Sequence, residues 1–133
     1  MKSILQACQP RPDLLSATFN PEVFTANLAQ VMDFYRGKPG VTENVYTDAV
    51  AFFAEATFPT QGMKDLMLEV FSRLAGDNSI RALHRLETSF GGGKSHTLIG
   101  CTHIAFRGTD LAECTAGILD PRLLPKPGEI AVV

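Results

Sequence analysis

The sequence predicts an α/β chain: a mainly helical part over residues 1–78, then over 79–133 the first strand, glycine-rich loop and helix of an incomplete parallel sheet. Three observations predict it. Apolar residues recur at helical spacing between capping residues as far as Leu74. From Ile80 the spacing changes to every second residue. Three glycines, Gly91 to Gly93, then run into Lys94-Ser95 and a further apolar segment.

Residues 1–19 read as an irregular arm, because Pro10 and Pro12 break any helix there. Asn20-Pro21 reads as a helix start, a capping residue followed by proline at the first helical position. Val23, Phe24, Leu28, Val31, Met32 and Tyr35 supply its core face, and Gly37 stops it. Thr47-Asp48 opens a second helix through Val50, Phe52 and Phe53 to about Ala56, closed by Phe58-Pro59. Thr60 caps a third, with Met63, Leu66, Met67, Val70, Phe71 and Leu74 facing inward until Gly76 ends it.

In the segment Ile80 to Glu87, Ile80, Ala82, His84 and Leu86 share one face, and Arg81 and Arg85 fall on the other, which predicts a strand. From Lys94 a helix is expected, with Leu98, Ile99, Ile104, Ala105 and Phe106 packing and Gly108 as its stop. A short helix is expected within Thr109 to Ile118, then turns at Asp120-Pro121 and Leu124 to Gly128. Ile130 to Val133 reads as the start of a buried parallel strand.

Bulk composition narrows the function classes. With 45% hydrophobic and 20% charged residues, the 133-residue chain has ordinary globular usage and length for one modest domain. A net charge of −2 gives no electrostatic signal for direct binding of nucleic acid or a membrane. Cys8, Cys101 and Cys114 are an odd set without a Cys-x-x-Cys pair, which fits reduced thiols rather than a disulfide or zinc framework. The first ten residues lack the apolar run of a secretory signal, and no run reaches transmembrane length. A cytoplasmic, soluble chain is expected.

The chemistry sits at the glycines. The strict phosphate-loop pattern is G-x-x-x-x-G-K-[ST], and Gly93-Lys94-Ser95 match its end. Thr88 stands where the first glycine would fall, and Gly91 and Gly92 supply backbone freedom from inside the loop. Between a strand and a helix, such a loop holds Mg·ATP. Backbone N–H groups of Gly91 to Ser95 cradle phosphate oxygens, Lys94 reaches the β and γ phosphates as the catalytic candidate, and Ser95 Oγ is the Mg²⁺ ligand. Phe90 is expected to anchor the loop in the core.

The remaining candidates are weaker. His96 and His103 share a helix face, but two turns part them by roughly 10 Å, too far for one metal ion. His84 reads as structural, and Glu87 as a carboxylate held by nearby N–H groups. Hydrolysis needs an acid-tipped second strand. Pro121 spoils the Asp120 candidate, and Asp48 and Asp65 fall on helices. The expectation is therefore a P-loop NTPase core truncated before the acidic Walker B strand, able to hold ATP but catalytically incomplete by itself. Two alternatives stay open: a non-catalytic remnant or interaction module of a split gene, and a small phosphotransferase of the nucleotide-kinase type.

These residues resemble the N-terminus of large prokaryotic AAA-type ATPases grouped as domain of unknown function 499, some described as anti-phage-associated. Pro10-Arg11-Pro12-Asp13, Asn20-Pro21-Glu22-Val23-Phe24, Tyr46-Thr47-Asp48, Phe52-Phe53, Thr57-Phe58-Pro59-Thr60 and Arg73-Leu74-Ala75-Gly76 carry the resemblance. Its most specific part is Leu86-Glu87-Thr88-Ser89-Phe90-Gly91-Gly92-Gly93-Lys94-Ser95-His96-Thr97-Leu98. The resemblance makes Thr88 a feature of the motif and implies a nucleotide-contacting stretch from Thr88, Ser89 and Phe90 through the glycines and Lys94-Ser95 to His96. It implies ATP and Mg²⁺ as cofactors. The implied partners are the remainder of the ATPase or its oligomer, and DNA methylases or helicases encoded beside it.

Overall fold

The helices form where capping residues and apolar stripes coincide. The computed structural model describes residues 12–18, 25–87 and 93–133. Pro12 opens a one-turn helix, α1 (Pro12–Leu15), so this proline starts a helix where its ring predicts a break. Helix α2 spans Leu28–Tyr35, with Asn27 as its N-cap accepting from the Gln30 N–H. Residues 25–27 are not helical, so α2 is not continuous with the start predicted at Asn20-Pro21, which lies outside the described residues together with Val23 and Phe24. The side chain at Asn27 satisfies a first-turn N–H group.

Asp48 caps α3 (Ala49–Ala51) by accepting from the N–H groups of Val50 and Ala51 at 2.9 and 3.1 Å. The chain continues into a π-helical turn, Phe52–Ala56, which Thr57 closes by donating its hydroxyl to the Phe52 carbonyl at 2.7 Å. Thr60 caps α4 (Gln61–Leu74), accepting from the Met63 N–H. Helix α5 runs Lys94–Arg107 from Gly93 to Gly108. Short 3₁₀ turns follow at Gly108–Leu111 and Pro121–Leu123 in place of the helix expected over 109–118.

One apolar core joins these elements. Val31 of α2, Phe52 and Phe53 of the π-turn, Met63, Met67 and Phe71 of α4, and Ile99 and Ile104 of α5 are all buried in it. Fully burying such side chains contributes about 1.5–3 kcal/mol each. Val50, Leu74 and Leu98, expected inside, are exposed.

The α/β fold class is corrected by this architecture. Among the described residues there is no strand, and hence no parallel P-loop sheet. The alternation over Ile80 to Glu87 survives only in part in burial: Ile80, His84 and Leu86 are half-buried and Arg81, Leu83, Arg85 and Glu87 exposed, but Ala82, expected on the inner face, is exposed too. Its backbone has no neighbouring strand to pair with among the described residues, and pairing is what makes an alternating segment a strand. Ile130 to Val133 is likewise not a strand. No described helix is long and apolar enough to cross a membrane.

Gly100 of α5 faces the methionine ends of α4. A Cβ there would lie 2.5 Å from Met67 Cε and 3.0 Å from Met63 Cε. Both neighbours are flexible methionine ends, so alanine requires a shift of Met67 and is tolerated, whereas a branched side chain overpacks the seam. Gly100→Val is expected to lower stability by about 1–3 kcal/mol, and Gly100→Ala by distinctly less. Urea unfolding checks the order; equal stability of the two variants would contradict this close approach.

Candidate phosphate-binding site

The site is built on the start of α5. Gly93, its N-cap, takes φ +74° and ψ 14°, a left-handed conformation that favours glycine. Its carbonyl accepts from both the N–H and the hydroxyl of Thr97, at 2.9 and 3.0 Å, which closes the first turn. Lys94, Ser95 and His96 are the first three helical residues, whose N–H groups have no acceptor within their own helix. Together with the helix dipole, this attracts an anion.

Gly93 and Ser95 are exposed and Lys94 is half-buried. Among the described residues nothing lies within 4 Å of a Cβ built at Gly93. An exposed serine hydroxyl on the first turn suits Mg²⁺, a hard cation taking oxygen ligands, and the adjacent lysine suits a phosphate. The described residues thus fit the group that the sequence predicts. The other expected contacts, Thr88, Ser89, Phe90, Gly91 and Gly92, lie outside the described residues.

His96 faces inward. Its ring stacks on Phe52 with centroids 4.5 Å apart and meets Tyr46 edge-on at 6.1 Å. Its Nε2 lies 2.9 Å from Thr57 Oγ1. Thr57 spends its one hydroxyl proton on the Phe52 carbonyl, so Nε2 carries a proton and donates to Thr57. Burial lowers the His96 pKa below its ordinary value.

Two turns on, His103 is fully buried. Its Nε2–H donates to the Tyr46 carbonyl at 3.0 Å, which leaves Nδ1 to accept the Tyr35 hydroxyl at 2.7 Å. An Asx turn presents that carbonyl: Asn44 Oδ1 accepts from the N–H groups of Tyr46 and Thr47 at 2.8 and 3.2 Å. Tyr35 in turn stacks on Phe106, with centroids 4.2 Å apart. The two histidines thus pin both halves of α5 to the rest of the fold. Among the described residues no group of histidine, cysteine or acidic side chains is placed to hold a metal ion.

The remaining candidates pair locally. His84 Nδ1 lies 3.2 Å from Glu69 Oε2, and Arg85 Nε donates to Glu87 at 2.6 Å. Sequence reasoning missed Thr57, Phe52 and Tyr46 as supports of the helix start. It also missed the role of His103. A signal was present: a histidine set among Ile99, Gly100 and Ile104 on a buried face requires hydrogen-bond partners. The identity of those partners, 57 and 68 residues away, was not legible.

Fold and site together define a small domain, helical in its described residues, with a glycine-led helix start exposed at its surface. The family model described as the DUF499 N-terminal domain matches residues 5–118, and the chain belongs to that family. No curated protein and no solved structure matches it.

Proposed function

We propose that the chain binds Mg·ATP at the start of α5, as the nucleotide-holding part of an AAA-type ATPase in a phage-defence or DNA-modification system. The observation that carries this reading is the geometry of Gly93-Lys94-Ser95: the helix begins at Lys94, directly after a left-handed Gly93, with Ser95 exposed on its first turn. Family membership and the resemblance of Glu87 to His96 to the ATPase motif support it. The proposed partners are the rest of the ATPase or its oligomer, and DNA methylases or helicases.

In this reading Lys94 neutralises charge on the β and γ phosphates, and Ser95 Oγ binds Mg²⁺. The backbone N–H groups of Gly91 to Ser95 orient the phosphate oxygens, with Thr88 to Phe90 completing the loop. Mg²⁺ supplies charge neutralisation between phosphates. These residues hold and orient nucleotide; the acid that would order a metal for hydrolysis belongs elsewhere in the ATPase.

Calorimetric titration with Mg·ATP tests the reading. Wild type is expected to bind, and Lys94→Ala to bind at least tenfold to a hundredfold more weakly, roughly the loss from removing a charge-assisted contact to phosphate. Equal affinities, or no heat from a folded wild-type chain, would refute it.

A further inference from the structure

Three helices of the fold have capping side chains that fix their first turns: Asn27 on α2, Asp48 on α3 and Thr60 on α4. Helix α5 has none, because its N-cap is Gly93. A glycine leaves the helix end open to a ligand, but it also removes the contact that holds a first turn in place. The N–H groups there diverge by about 100° per residue, so they converge on an anion only if that turn is held at one rotation. The fold supplies a substitute from the other side. His96, at the third helical position, is clasped by the Phe52 ring and donates to Thr57 Oγ1 at 2.9 Å. Thr57 can accept because its own proton is committed to the Phe52 carbonyl, 2.7 Å away.

We infer that Thr57 and the π-turn Phe52–Ala56 are positioning elements of the phosphate site, acting through His96 to fix the N–H groups and side chains of Lys94 and Ser95. This role rests on the Mg·ATP reading. Neither Thr57 nor Phe52 touches nucleotide. The π-turn places the Thr57 hydroxyl and the Phe52 ring on the same histidine, whose backbone adjoins Ser95. π-Helical turns within α-helices recur at functional sites because they re-aim side chains in this way.

The test compares wild type, Thr57→Val and Thr57→Ser in the full chain. Valine keeps the shape of threonine and removes the hydroxyl, whereas serine keeps it. Affinity for Mg·ATP is measured by calorimetry at a temperature where circular dichroism shows all three folded. Thr57→Val is expected to bind about tenfold more weakly, and Thr57→Ser within about twofold of wild type, the scale of one hydrogen bond lost or kept. In nucleotide-free protein, nitrogen-15 spectra of the imidazoles are expected to show His96 as the Nε2–H tautomer in wild type and Thr57→Ser, and altered in Thr57→Val.

Wild-type affinity in Thr57→Val would overturn the positioning role while leaving the phosphate site standing. So would Thr57→Ser binding as weakly as Thr57→Val. A folded wild type that does not bind Mg·ATP would remove the phosphate site, and this role with it.

Discussion

Gly108→Ala is expected to lower the unfolding free energy by about 3 kcal/mol or more. Gly108 ends α5 with φ +46° and ψ −118°, backbone angles that L side chains rarely adopt. A Cβ there would also collide with the Pro125 carbonyl oxygen. That oxygen is held in place, since it accepts the Thr109 N–H at 2.9 Å. Backbone cannot swing aside as a methionine end can, so the strain passes to the chain segment that carries Leu124 into the core. Gly117 is the control. Its φ is +78°, yet nothing lies within 4 Å of its Cβ position, so Gly117→Ala carries only the left-handed penalty of about 1–2 kcal/mol. Urea denaturation of both variants separates collision from backbone conformation. Equal losses at the two sites would refute the close approach at Gly108.

Local chemistry was legible and pairing was not. Asp48, Thr60 and Gly108 bound their helices as the sequence predicts, because a cap acts within three or four residues of itself. Lys94 opens α5 for the same reason. Asn27, which the sequence reading did not single out, caps α2 by the same local chemistry, whereas the predicted start at Asn20-Pro21 lies outside the described residues. The strand over Ile80 to Glu87 failed for a different cause. Its alternation holds in burial from Leu83 to Glu87 but not at the exposed Ala82, and a strand exists only with a partner; periodicity in one segment says nothing about what lies beside it. At the candidate site, the helix start at Lys94 was legible from the motif, whereas the side chains packed beneath it were not. Thr57 lies 39 residues from His96, and only the fold brings them to 2.9 Å.

Acidification is expected to weaken the fold through His103, by on the order of 3 kcal/mol across the window from pH 6.5 to about 4. Burial pushes its pKa down from 6.5 to about 4, and the bond to the Tyr46 carbonyl and the charge of Asp48 oppose that without offsetting it. In the folded state Nε2–H donates to Tyr46 and Nδ1 accepts from Tyr35, so a second proton on Nδ1 would face the Tyr35 hydroxyl proton. The unfolded chain takes up that proton near 6.5 and the folded chain only near 4. Between those values the unfolded state binds more protons, so stability falls as pH falls. The contribution is complete above the unfolded value and lost by the folded one. His96, whose pKa burial also lowers, adds a loss of the same sign. His103→Gln separates the two histidines, because its amide can donate to Tyr46 and accept from Tyr35 without titrating. Wild type is expected to show a steeper fall in urea midpoint between pH 6.5 and 4 than His103→Gln. Parallel pH profiles for the two would show that His103 is not held neutral by this network.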